Sequence, residues 1–185
     1  MCSLARTPSC LCRQVVCNFL HRLDLLKTTL ADHGYTLYGN EPLKLSIASK
    51  FYGYTGKELD EHLLQQGIVS EFADPDYIVF MFTPEIGDSG LKKLESALLN
   101  IERKTEILSP SPAFHNCEKR MTIREASLSV SETIPCSNAE GRILAAASVS
   151  CPPAVPILVC GEIIDKKAIE CFEYYGIESC TVVAE

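Results

Sequence analysis

The stretch Leu43-Lys44-Leu45-Ser46-Ile47-Ala48 alternates apolar with polar or small side chains, the period-2 pattern of a strand that buries one face. Tyr52-Gly53-Tyr54 then turns the chain. Thr55 and Glu58, three residues apart, have the spacing of a capping box, in which the hydroxyl takes a free helix N–H while the carboxylate reaches back to the cap. A helix is predicted from there to Gln66, with Leu59 and Leu63 on one side and Gly67 as its stop. Ile68 to Phe72 and Tyr77 to Phe82 are β-rich runs separated by Asp74-Pro75-Asp76, whose proline and Asx residues favour a turn, so a hairpin is expected. Asp88 is expected to cap a further helix that keeps Leu91, Leu94, Leu98 and Ile101 on one face. The order strand, helix, strand, strand, helix predicts an α+β layer, a small sheet with helices on one face.

Working outward, the residues before this layer differ in charge from those after it. Met1 to Lys27 holds Arg6, Arg13, Arg22 and Lys27 against Asp24 alone. An acid-poor leader bearing Arg and Ser also fits an organelle transit peptide. Val15, Val16, Phe19, Leu20, Leu23, Leu26 and Leu30 recur at helical spacing, and a helix is predicted from about Arg13 to His33, ended by Gly34. On the other side, Arg103 to Met121 carries Ser109-Pro110-Ser111-Pro112 and alternating charges, a composition that sustains no periodic element. Beyond it, Thr122 with Glu125 and Ser137 with Glu140 repeat the capping-box spacing, predicting helices near Ile123 to Leu128 and Asn138 to Arg142. Ile157 to Val159 reads as a strand, Asp165 as the cap of a helix to Tyr175, and Cys180 to Val183 as a last strand. The expected organisation is a leader and helix over residues 1–40, a small α+β domain over 41–102, a linker over 103–121, and a second small α+β subdomain over 122–185.

Composition narrows the function classes. The 185 residues carry 17 basic and 24 acidic side chains, a formal charge of −7 that argues against a nucleic-acid partner. The longest apolar runs, such as Ile78 to Phe82, fall far short of the roughly 20 residues a membrane helix needs. The chain has 10 cysteines, and no four potential ligands share the short local spacing of a zinc site, so buried reduced thiols are expected and no metal site is read. No signal-peptide core is visible and the cytoplasm is the expected compartment.

Several segments occur in an order that adds to this reading: Glu41-Pro42-Leu43-Lys44-Leu45, Tyr54-Thr55-Gly56, Glu71-Phe72-Ala73-Asp74-Pro75-Asp76-Tyr77, Thr83-Pro84-Glu85, Arg124-Glu125-Ala126, Glu140-Gly141-Arg142-Ile143, and the run from Cys151-Pro152-Pro153-Ala154-Val155-Pro156 to Cys160-Gly161-Glu162. Together, from Glu41 onward, they resemble the carboxy-terminal portion of the bacterial Orn/Lys/Arg decarboxylases, pyridoxal-phosphate enzymes of the aspartate-aminotransferase fold type. The resemblance implies amino-acid decarboxylation to agmatine, cadaverine or putrescine. It also implies a Schiff-base lysine in a Ser-x-His-Lys motif on a large domain, and no lysine here follows a histidine. What this chain resembles is the small domain and C-terminal extension, which by themselves are not expected to bind the cofactor or to decarboxylate. The implied partners are a large pyridoxal-phosphate domain or further copies of the chain; the alternative is an interaction or regulatory module docking on a complete decarboxylase.

The residues carrying the resemblance in the C-terminal part are Arg124, Glu125, Gly141, Arg142, Pro152, Pro153, Pro156 and Gly161, which are expected to be structural. Ala154 and Cys160 depart from the family's usual glycine and proline. Glu162 is the candidate for a substrate entrance, where a carboxylate would attract a guanidinium or ammonium group. Arg124 and Arg142 are expected in ion pairs with nearby acids such as Glu125 and Glu140. His62 and His115 have no nucleophile placed beside them in sequence, Tyr52, Tyr54 and Tyr77 read as half-buried turn aromatics, and Asp60-Glu61 and Asp74 with Asp76 as solvated or turn-forming acids. No catalytic or cofactor-binding residue is assigned.

Overall fold

The computed structural model describes residues 8–146, 148–151 and 155–185, with side chains over 14–146 and from 156 onward. Pro152, Pro153 and Ala154, at the centre of the proline-rich motif, lie outside the described residues. The chain forms two compact units, Met1–Leu108 and Ser109–Glu185, and the boundary falls inside the Pro-Ser segment.

The first unit is built as α1 (Pro8–Asp32), β1 (Leu37–Tyr38), β2 (Lys44–Ala48), α2 (Gly56–Leu64), β3 (Phe72–Ala73), β4 (Tyr77–Met81) and α3 (Gly87–Leu99). Its four strands make one antiparallel sheet in the order β1-β2-β4-β3. The register sets Leu45 opposite Phe80 and Ile47 opposite Ile78, so the apolar side chains of β2 and β4 share one face. That face shares a core with Phe19, Leu23 and Leu30 of α1, Leu59 and Leu63 of α2, and Leu94 and Leu98 of α3. The α+β class is observed: among the described residues there are five α-helices, this four-stranded sheet and two two-stranded ones.

Local signals account for much of the unit. Thr55 Oγ1 accepts the Glu58 N–H at 3.2 Å and the Glu58 carboxylate accepts the Thr55 N–H at 2.7 Å, completing the capping box at the start of α2. Asp74 Oδ1 accepts the N–H groups of Asp76 and Tyr77 at 2.7 and 2.6 Å, which folds the hairpin between β3 and β4. Three tyrosine hydroxyls donate to carbonyls at the end of α3 and just beyond: Tyr35 to Leu98 at 2.9 Å, Tyr52 to Ile101 at 3.1 Å and Tyr54 to Glu102 at 2.8 Å. They satisfy acceptors that a helix C-terminus leaves without intrahelical partners.

Three expectations in this unit are corrected. Helix α1 reaches back to Pro8 rather than starting near Arg13. Asp88 does not cap α3; it lies in the first turn and pairs with Arg22 of α1, a tertiary attraction that the local sequence does not encode. The run from Ile68 contributes only Phe72–Ala73 as a strand, because the chain turns out of α2 with the Ile68 N–H still bonded to the Leu63 carbonyl at 3.0 Å.

The second unit contains α4 (Ile123–Leu128), β5 (Ser131–Pro135), β6 (Ser148–Cys151), β7 (Val155–Val159), α5 (Lys166–Tyr175) and β8 (Ser179–Val183). β5 pairs with β8 and β6 with β7, both antiparallel. Leu144, Ile164, Ala168, Phe172 and Val182 lie in one buried cluster. The Thr122/Glu125 capping box forms as read, Asp165 Oδ1 accepts the Ala168 N–H at 2.8 Å to cap α5, and Gly176 ends it with a φ of +73°. The expected Asn138 to Arg142 helix is corrected: Cys136–Asn138 form a single 3-10 turn. Across Gly141 to Arg142 the backbone bonds outward instead, with the Gly141 N–H on the Ile164 carbonyl at 2.8 Å and the Ile164 N–H on the Arg142 carbonyl at 2.9 Å. A continuous helix would need those groups for itself.

Candidate functional site

The second unit positions its polar site by zipping one extended segment against the turn after β7. The Ile163 N–H donates to the Glu118 carbonyl at 2.9 Å, and the Arg120 and Met121 N–H groups both donate to the Gly161 carbonyl, at 2.9 and 3.1 Å. Gly161 has a φ of +93°, and a β-carbon there would run into the Met121 carbonyl. Glycine is thus required twice over, by conformation and by close approach.

This pairing carries His115 and Cys117 to the first turn of α5. His115 Nε2 lies 2.7 Å from Asp165 Oδ2 and 3.5 Å from Cys117 Sγ. Burial, followed by the charges of Asp165 and Glu162, pushes the Cys117 thiol up to about 11. Burial alone would raise the Asp165 carboxyl as well, but the hydrogen bond from His115 and the Ala168 amide outweigh it and hold the group below its ordinary value. A thiol held protonated at neutral pH is not an activated nucleophile. The two contacts also fall on the same ring nitrogen, whereas a nucleophile–base–carboxylate relay uses both nitrogens.

His115 also lines an open cavity of about 270 Å³, together with Phe114, Asn116, Pro156 to Val159 and Glu162. Glu162 is half-buried, and its Oε2 accepts the Val159 N–H at 2.9 Å. The carboxylate is therefore held against the turn while lining the cavity. Sequence reading names Glu162 as a site candidate, finds no nucleophile beside His115 and takes Asp165 as a helix cap; the structure sets the Cys117 thiol 3.5 Å from His115 and brings in Asp165 from about fifty residues away. The His-x-Cys spacing within the Pro-Ser segment was the available signal.

The remaining candidates have structural positions. Arg142 donates to Glu132 at 2.6 Å and to the Val183 carbonyl at 2.8 Å, and approaches Glu185 at 3.6 Å; its acids come from β5 and the C-terminus rather than from Glu140. Glu125 is used in the Thr122 cap, while Arg124 is exposed on the same turn. Gly141 has a φ of +79°, and Pro156 is exposed in β7. Cys160 is buried, with its thiol 3.3 Å from the Ala145 carbonyl. Asp60 accepts the Ser70 hydroxyl at 2.6 Å, Asp76 pairs with Lys50 at 2.8 Å, and His62 meets the Tyr54 ring edge-on. Among the described residues, no helix is long and apolar enough to cross a membrane.

Residues 106–179 match the family model described as Orn/Lys/Arg decarboxylase, C-terminal domain, and the second unit is such a domain. The chain is homologous to the C-terminal part of those enzymes. It is 32% identical over 143 residues to the arginine decarboxylase of Bacillus subtilis (strain 168), covering 71% of this chain and 28% of that protein. It is 25% identical over 174 residues to the uncharacterized protein YaaO of the same organism, covering 85% of this chain and 35% of that one. The chain thus spans about a third or less of the length of these relatives. Among solved structures, the Escherichia coli constitutive lysine decarboxylase matches with a TM-score of 0.65 at 15% identity, over 92% of this chain and 41% of that one. The Francisella novicida lysine decarboxylase LdcF matches with a TM-score of 0.51 at 13% identity, over 76% and 29%. At those identities the likeness establishes the fold.

Proposed function

We propose that these residues serve as the small and C-terminal domains of a decarboxylase for a basic amino acid, shaping the entrance to a pyridoxal-phosphate site held on a large domain. The observation carrying this reading is the family match over residues 106–179 together with the arginine decarboxylase similarity over 71% of the chain. Glu162, on the wall of an open cavity and oriented by the Val159 amide, is the residue assigned to attract the cationic end of the substrate.

Pyridoxal phosphate is the family's cofactor, and on this reading it is held by the large domain rather than by these residues, since no lysine here follows a histidine as in the family's Ser-x-His-Lys motif. A Schiff base needs a lysine free to condense with the aldehyde, and the buried lysine here, Lys50, is ion-paired with Asp76 at 2.8 Å. No chemical step is therefore assigned to this chain. The test is incubation of the purified chain with pyridoxal phosphate, borohydride trapping and mass spectrometry, alone and with a decarboxylase large domain supplied in trans. The expected result is no specific lysine adduct and no decarboxylation alone, with activity towards arginine, lysine or ornithine appearing only with the large domain. A stoichiometric adduct on one lysine of the isolated chain would overturn the reading.

A second reading, an interaction module that docks on a complete decarboxylase, is favoured by one surface feature. Ile123, Leu128 and Val130, on α4 and just after it, are exposed, the last two by 76% and 81%. Exposed apolar side chains on so short a stretch are available for contact with a partner. Co-elution with an intact decarboxylase whose activity is unchanged by the chain's own Glu162→Gln substitution would favour docking over the entrance role.

A further inference from the structure

We propose that His115, Cys117 and Asp165 form a binding site for a zinc-class divalent ion, with a further coordination position open to the neighbouring cavity. The donors are an imidazole nitrogen, a thiol sulfur and a carboxylate oxygen. That set suits zinc and its neighbours rather than calcium or magnesium, which take oxygen ligands.

The geometry is close to what such an ion needs. The three donor atoms all lie within 4.8 Å of one another. Ligands around a tetrahedral zinc stand about 3.4–3.6 Å apart at the usual zinc–ligand bond lengths. Cys117 Sγ and His115 Nε2 already stand 3.5 Å apart, and the His115–Asp165 contact of 2.7 Å would open by less than an ångström as the ion replaces the shared proton.

The site is also held from outside. His115 and Cys117, two residues apart, bring their donor atoms to within 3.5 Å of each other. The segment's next residues are fixed by the bonds from Glu118 to Met121 onto Gly161 and Ile163. Asp165 is oriented by its other oxygen, which accepts the Ala168 N–H at 2.8 Å and leaves Oδ2 for the ion. An outer hydrogen bond of this kind is a usual device for aiming a ligating carboxylate.

Access and charge agree. The side chains of His115 and Asp165 are 27% and 45% exposed, which gives an entry path. Asp165 and Glu162 both place negative charge near the Cys117 sulfur, an environment that favours a cation there. Of the three, His115 lines the cavity of about 270 Å³, and a set of three protein ligands corresponds to sites that keep a water or small ligand on the metal. The inference is independent of the decarboxylase reading, because its test reads metal binding and not cofactor chemistry.

The test uses the full chain, freed of metal and kept in a non-thiol reductant. Cobalt(II) is titrated as a spectroscopic probe, then displaced with zinc, and bound zinc is counted by native mass spectrometry. The expected result is one ion per chain with a thiolate-to-cobalt charge-transfer band that disappears in Cys117→Ser. His115→Gln and Asp165→Asn should each weaken binding by more than about tenfold, while Cys17→Ser, at an exposed thiol in the other unit, should leave it intact. Asp165→Asn keeps the helix-capping oxygen, and circular dichroism on each variant separates lost ligation from lost folding. Absence of stoichiometric binding, or binding indifferent to both Cys117→Ser and His115→Gln, would overturn the proposal and leave the His115–Asp165 contact as a strut between the extended segment and α5.

Discussion

The Glu162 carboxylate accepts the Val159 backbone N–H at 2.9 Å, closing the turn that follows β7. The same group therefore has a structural bond and a position on the cavity wall, and substitutions separate the two. Glu162→Ala should destabilise the second unit by about 1 kcal/mol, the usual net worth of a hydrogen bond exposed in part to water, read as a lower urea midpoint. Glu162→Gln keeps an acceptor for the amide and should leave stability nearly unchanged. In an assembled decarboxylase, the Gln variant should raise KM for the basic amino acid while kcat stays close to its original value.

Gly161→Ala should cost about 2 kcal/mol or more, because alanine is strained at a φ of +93° and its methyl group meets the Met121 carbonyl. Gly141→Ala provides the contrast. Its φ of +79° imposes conformational strain, but nothing lies within 4 Å of the added carbon, so the loss should be smaller. Chemical denaturation of the two variants side by side checks the ordering.

The two capping boxes make a prediction about acid stability. Hydrogen bonds from the Thr55 backbone hold Glu58 below its ordinary carboxyl range, and the Thr122 hydroxyl and amide do the same for Glu125. A carboxyl with a lowered folded-state value contributes stability that is present above its unfolded value, about 4.3 for Glu, and is lost as pH falls through the folded value. Glu58→Ala should cost about 1 kcal/mol at neutral pH, and the difference from the unmodified chain should shrink below about pH 4. Denaturation midpoints across that range test it.

Phe172, fully buried on α5, should be among the costliest single positions in the second unit. Phe172→Ala is expected to lose about 3–5 kcal/mol through lost transfer energy and the cavity left behind. Phe114→Ala, at a ring that is 45% exposed and stacks on Tyr175, should lose far less. Thermal unfolding of both variants reads the difference.

How far local signals reached is visible in three matching pairs. Thr55 with Glu58 and Thr122 with Glu125 form the caps their spacing predicts, because each bond closes within one turn of helix. Ser137 with Glu140 has the same spacing and no helix follows, since the Gly141 N–H and the Arg142 carbonyl are drawn into bonds with Ile164. Strand β5 shows the complementary failure. Of its five residues only Ile134 is even partly buried, so it carries no alternation to read, and its partner β8 lies nearly fifty residues away.

The sequence by itself determined the α+β class, the chain order of most helices and strands, the turn at Asp74, the caps of α2, α4 and α5, and the family to which the C-terminal unit belongs. These follow from periodicity, capping and glycine positions, all of which act within a few residues. Tertiary structure alone decided that Asp88 meets Arg22, that Arg142 meets Glu132 rather than Glu140, and that His115, Cys117 and Asp165 converge. The partners are brought together by packing and backbone pairing between separate elements, ten residues apart for Arg142 and Glu132 and fifty or more for the other two, and no local pattern records which residue will be waiting.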